Sequence, residues 1–210
     1  METHFNPWLE IWTRPRATIR RIIHENPNRS LWLLAAIYGF GSLLNNAQTL
    51  ALGQNFSPLA IFLFAAILSP FWGYAFLSIW STAVYWIGKG FKGSGTFQTV
   101  RAAYVWSCVP FVLNILSWIA LAALFGGHLF MLNAGNEQLS EPMTFFLFFI
   151  LTVRLAVAIW SLVIYLNALA EVQNYSILRA IFNVITASIL MFAVSWVIWG
   201  LAIQLFNPAK

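Results

Sequence analysis

A chain of 210 residues in which 60% are hydrophobic and only 8% are charged lacks the polar surface that a water-soluble globule of this size must present, so the bilayer is its solvent. The formal net charge of +5 comes from cations spread along segments that flank apolar runs, with no basic module of known type behind them. That pattern excludes nucleic acid as the natural partner and favours anionic lipid headgroups.

Residues 1–30 form a basic, tryptophan-bearing head. Arg14, Arg16, Arg20, Arg21 and Arg29, five of the eleven Lys and Arg residues, precede the first long apolar run. Thr13 is placed to cap a helix with Pro15 in its first turn, and Ile19, Ile22 and Ile23 then share one face opposite Arg16 and Arg20. This is the signature of an N-terminal amphipathic interfacial helix, and Trp8 and Trp12 suit the headgroup layer. Trp8, Trp12, Arg14, Arg16, Arg20 and Arg21 are therefore candidate contacts for the membrane surface or for a partner, and an anchor that flattens the terminus against the membrane explains them as simply as a docking platform does.

Five apolar runs follow within 31–210, at 31–52, 59–87, 101–125, 143–170 and 176–206. Each is long enough for about 30 Å of hydrocarbon, which needs about 20 residues of helix, and isolated strands would leave backbone groups unpaired in lipid. The predicted fold is all-α: a polytopic integral membrane protein of five transmembrane helices behind the amphipathic head. Ser69-Pro70 followed by Gly73 predicts a kink in the second run, and Pro110 one in the third. Cys108, the only cysteine, lies in the third run, so no intrachain disulfide is possible. Ala35, Ala36 and Gly39 offer a small-residue face on the first run, open to packing within the bundle or to a second copy of the chain.

Cations in the connections set the orientation. The head has five, the 53–58 loop none, and Lys89, Lys92 and Arg101 mark the next connection, where they are expected to meet headgroups. The 126–142 loop has no Lys or Arg but carries Glu137 and Glu141, Arg179 sits near the last tight turn, and only Lys210 dissents. The expected topology has the N-terminus cytoplasmic and the C-terminus outside.

The head W-x-x-I-W-x-R-P-R-x-x-I-R-x-I-I-x-x-N-P (8–27), the five-span plan and the stretch FQTVRAAYVWSCVP (97–110) together resemble the prokaryotic branch of the Ypt/Rab-interacting protein family, the YIP domain. The resemblance covers nearly the whole chain and implies an integral membrane protein with a cytoplasmic N-terminal region, here in the inner (plasma) membrane of a prokaryote. Eukaryotic members act in vesicle traffic, associate with prenylated Rab-type GTPases and pair with related family members. This chain lacks their tyrosine-containing D-L-Y-G-P motif and has a much shorter N-terminal region, so the resemblance does not carry GTPase binding to it.

No motif points to chemistry. Gly88-Lys89-Gly90-Phe91-Lys92-Gly93 spells G-x-G-x-x-G, but a dinucleotide site needs a strand before it and a helix N-terminus after it, so this reads as a flexible loop with two cations. His4, His24 and His128 are scattered, with no second ligand at helical spacing, and no His lies at membrane depth to activate a Ser or Thr. The reading is of a protein that is not an enzyme and takes no metal or cofactor.

Arg154, about eleven residues inside the fourth run, resists a bland account, because a cation at membrane depth costs about 2.5–3.5 kcal/mol on insertion scales. At 1.5 Å per residue it stands about 26 Å from Glu171, while Asn45 and Asn46 stand about 21–23 Å from Leu31 and Asn114 about 20 Å from Arg101. These matched depths suggest a polar node of Arg154, Asn45, Asn46 and Asn114; snorkelling of the guanidinium to the outer headgroups is the competing account. Ser78, Ser81, Thr82, Ser107, Asn167 and Asn183 form a second, inner polar set for which interhelical glue suffices. The expected function is membrane organisation or partner scaffolding without catalysis. The alternative is a small transporter, channel or lipid-moving protein with Arg154 in the pathway.

Overall fold

The computed structural model describes residues 5–131 and 140–206, with side chains to residue 201. His4, Glu137 and Lys210, used above, lie outside the described residues. Among those described the chain is helical: α1 (Pro7–Glu10), α2 (Pro15–Glu25), α3 (Leu31–Thr49), α4 (Pro58–Gly90), α5 (Phe97–Ser107), α6 (Val112–Phe125), α7 (Glu141–Gln173) and α8 (Ile177–Phe206). Four segments are long and apolar enough to cross a membrane, Pro58–Gly90, Phe97–His128, Glu141–Gln173 and Ile177–Leu201. The first expected crossing, α3, is a helix of 19 residues whose last turns carry Asn45, Asn46 and Gln48, which dilute its apolar character.

α3 lies against α4 at backbone contact. A Cβ on Gly39 would run into the Ser69 carbonyl, and one on Gly73 into the Ala35 carbonyl. The small-residue face of α3 is thus spent inside the bundle rather than on a second copy. Pro70 sits within an unbroken α4. A proline there leaves the Ala66 carbonyl without its helical donor, and the Ser69 hydroxyl donates to that oxygen at 2.9 Å, which satisfies it without water. Pro110 has the larger effect: a 3₁₀ turn at Val109–Phe111 separates α5 from α6.

Lipid-facing side chains delimit a belt. Exposed apolar residues run on α7 from Phe145 to Val163, about 27 Å at 1.5 Å per residue and close to the thickness of a hydrocarbon core, and on α4 from Leu59 to Ile79, about 30 Å, with the exposed Trp86 two turns beyond. From Phe192 to Trp199 α8 exposes every side chain. On one side of the belt Phe130 is buried between Trp118 and Phe62, and its carbonyl accepts from Gly53 N–H at 2.9 Å, closing that end of the bundle.

The opposite end is closed by the head. Ile11, Ile19 and Ile22 are fully buried in one core with Val100, Trp106, Ala168 and Leu169 of α5 and α7. The expected apolar face exists, but it turns onto protein instead of lipid, because α5 and the end of α7 present an apolar wall flanked by Asn167 and Glu171, which engage the arginines of the other face. The N-cap position falls on Arg14 rather than Thr13, with Pro15 in the first turn and Thr18 Oγ donating to the Arg14 carbonyl at 2.8 Å.

Candidate functional site

Two groups of residues matter: a polar cavity inside the belt and the basic head at its end. The cavity, about 110 Å³, lies between α3, α6 and α7 and is lined by Tyr38, Gly41, Ser42, Asn45, Asn114, Trp118 and Arg154 among others. Arg154 occupies the middle of the exposed belt on α7, yet its guanidinium turns inward. Nη2 donates to Asn45 Oδ1 at 3.0 Å, and Cζ stands 4.8 Å from the Trp118 ring centroid. Among the described residues no carboxylate pairs with it.

Asn114 lines the same cavity, and its Oδ1 is buried without a hydrogen-bond partner. Asn46 is exposed, and no bond joins it to Arg154 among the described residues, because consecutive helical positions diverge by about 100°. Trp118, which the sequence reading did not single out, is fully buried, and its Nε1–H has no acceptor. That nitrogen lies beside Gly41, 4.0 Å from where its Cβ would stand, and both residues line the cavity. The signal for Trp118 was its place four residues after Asn114, on the same helix face. Ser42 Oγ accepts from Trp72 Nε1 at 3.1 Å, so its own hydroxyl hydrogen stays available.

Arg154 also borders a second space of about 210 Å³, lined by Gln48, Leu121, Phe125, Leu129, Leu147 and Leu151. Arg154 therefore lines both spaces, the first carrying Ser42, Asn45 and Asn114 among apolar residues and the second mainly leucine and phenylalanine beside Gln48.

In the head, Trp8 packs edge-on against the buried Trp106, with centroids 5.6 Å apart, and Trp12 is half-buried against the same core. Arg16 Nε donates to Asn167 Oδ1 at 3.2 Å, and Arg20 Nε to Glu171 Oε1 at 2.6 Å. The hydrogen bond and charge of Glu171 hold the Arg20 guanidinium above its ordinary pKa. Arg21 reaches Glu25 at 3.1 Å and lies over the Phe5 ring, and Arg14 is exposed. The structure therefore brings Trp8, Trp12, Arg16 and Arg20 onto the bundle and leaves Arg14 and Arg21 facing out.

Two readings from sequence change here. Arg101, expected at headgroups, is only 8% exposed: Nη1 donates to Tyr74 Oη at 3.1 Å, Nη2 to Asn28 Oδ1 at 2.8 Å, and the Tyr74 and Phe97 rings flank it. The glycine-rich 88–93 loop is packed rather than flexible. It wraps the buried Gln173, whose Oε1 accepts from Gly95 N–H at 3.2 Å; a Cβ on Gly88 would strike Gln173 Nε2, and one on Gly93 would strike Oε1. Those glycines serve close approach to a side chain, and no phosphate cradle is needed to account for them. The inner polar set bonds mostly within its own helices: Thr82, Ser107 and Asn167 donate to the Ser78, Tyr104 and Val163 carbonyls, the Ser78 and Ser81 hydroxyls have no partner among the described residues, and Asn183 donates to Tyr175 Oη at 2.6 Å in the turn before α8.

Among the described residues no group of three or more His, Cys, Asp or Glu side chains is placed to hold a metal ion. No curated protein and no solved structure matches the chain. The family model of the Yip1 domain does, over residues 9–199, a stretch that begins inside the basic head and ends near the end of the last helix. With that match spanning both the head and the helices it packs upon, the chain belongs to the Yip1 domain family of membrane proteins.

Proposed function

We propose that this chain is a non-enzymatic member of the prokaryotic branch of that family, organising the inner membrane or holding a membrane-protein partner through its cytoplasmic face. In this reading α3 is the fifth crossing, at about 28 Å; the N-terminus is cytoplasmic and the C-terminus lies outside. The charge distribution supports it. Arg14, Arg16, Arg20, Arg21, Lys89, Lys92 and Arg179 all belong to the end closed by the head and are exposed there, whereas the 53–58 loop at the other end has no cation.

The observation that carries the reading is the burial of Ile11, Ile19 and Ile22. A head anchored through its apolar face holds its outward cations on a fixed frame, which is what docking of an acidic partner or of anionic headgroups requires. A tethered, mobile arm would lose that binding energy to ordering.

The test is affinity purification of the full chain from its native membrane, beside an Arg14→Glu/Arg21→Glu variant, with flux of ions and fluorescent lipids measured after reconstitution in liposomes. The reading expects a co-purifying membrane protein or anionic lipid set that the variant loses, and silent liposomes. It is overturned by flux that Arg154→Ala abolishes, or by an identical co-purifying set in both proteins.

A further inference from the structure

We infer that the chamber at Arg154 is a binding site for the phosphate of a phospholipid, with the acyl chain in the neighbouring apolar space. Charge makes the case first. Arg154 stands at mid-belt with a single hydrogen bond, to a neutral amide, and no carboxylate partner among the described residues. A cation at this depth is stable only when paired or solvated from within, and the remaining guanidinium N–H groups are free to grip an oxyanion.

The chamber adds a second, independent observation. Trp118, in the lining of the same space, has a fully buried Nε1–H donor with no acceptor. An unsatisfied buried donor is costly unless something absent from the protein accepts from it. Ser42 has a hydroxyl hydrogen to offer beside it, and the Asn114 amide, whose Oδ1 has no partner, is free to turn and present its NH₂ group. Arginine, indole, hydroxyl and amide donors thus converge on about 110 Å³, with room for about three to four waters or one compact oxyanion.

Shape decides between a free anion and a lipid. Arg154 also lines the neighbouring space, with Gln48, Leu121, Phe125, Leu129, Leu147 and Leu151, where it is the one charged residue of that lining. A cluster of donors beside a leucine-rich space, with Arg154 in the lining of both, fits an anionic head with an apolar tail. Inorganic phosphate would fill only the first.

The experiment uses the full chain, delipidated in detergent, with native mass spectrometry and thermal shift as readouts. Phosphatidylglycerol, diacylglycerol and inorganic phosphate are compared on the wild type, Arg154→Gln, Trp118→Phe and, as a surface control, Thr186→Val at an exposed position of α8. One phosphatidylglycerol is expected to stay bound and to raise the unfolding midpoint; diacylglycerol is expected to do neither. Arg154→Gln is expected to weaken the lipid by about tenfold, as for loss of a charge-assisted contact, and the surface control is expected to leave it unchanged. Should Arg154→Gln fail to fold, Trp118→Phe carries the test by removing one donor while keeping an aromatic ring. Equal binding of phosphatidylglycerol to wild type, Arg154→Gln and Trp118→Phe overturns the site, as does loss of binding only in the surface control. Equal stabilisation by inorganic phosphate overturns the lipid as the source of the oxyanion.

Discussion

Arg101 and Arg154 both lie within the bundle with no carboxylate paired to them among the described residues, but they are held differently. Arg101 is 8% exposed, spends both terminal nitrogens on fixed partners in other segments and is flanked by two rings. Arg154 makes one amide bond, faces one ring and lines two cavities. The first arginine ties Asn28 at the head's end to α4 and α5, so its role is complete without any further group. The second has donors to spare in a place where spare donors are costly, so its surroundings are incomplete. Satisfaction of the fork, more than burial or depth, separates a structural cation from a binding one.

Five substitutions, measured in lipid-free detergent, sharpen or break that contrast. The largest effect is expected from Arg101→Met, which strands Asn28 and Tyr74 and should lower the unfolding free energy by about 3 kcal/mol, the scale of two bonds to a charged group. Arg101→Lys should recover little of it, because a point charge cannot reach both partners as the fork does. Asn28→Leu, which removes one of the two bonds, should cost about 2 kcal/mol and loosen the start of α3, read by amide hydrogen exchange at 28–34. Arg154→Met should cost less than about 1 kcal/mol or raise stability, because it removes an unneutralised cation from mid-depth; a loss as large as that of Arg101→Met would put the two arginines in one class. The smallest effect is expected from Arg20→Gln, whose bond to Glu171 is solvent-facing: a modest rise in exchange along α2 that vanishes at high salt.

Much of the fold was legible in the sequence for one physical reason, that apolar length maps directly onto bilayer thickness. The runs at 59–87 and 143–170 fall inside α4 and α7, and 176–206 matches α8 but for its first residue. The meeting of Arg154 with Asn45 was legible too, because a fixed rise per residue brings their two helices to a similar level there. Facing was not. Nothing in a single run says that Asn46 turns away while Trp118 turns in, since a helix that is apolar all round carries no amphipathic signal to orient it.

Arg101 was misplaced for a related reason: a cation ahead of an apolar run reads as a flank, and its partners are distant in sequence, at Asn28 and Tyr74. The head misled in the same direction. Its apolar stripe is the same whether it meets lipid or protein, and only the folded chain shows α5 and α7 waiting for it.

The clasp around Gln173 has a mechanical consequence. The 88–95 segment is fastened to the last residue of α7, and α7 is one unbroken helix from Glu141 to Gln173 that also bears Glu171, Asn167 and Arg154. A load applied at Lys89 or Lys92 is therefore not absorbed by the loop. It passes into a rod about 50 Å long, so a tug on the rim at the head's end and the arrival of a molecule beside Arg154 strain the same member.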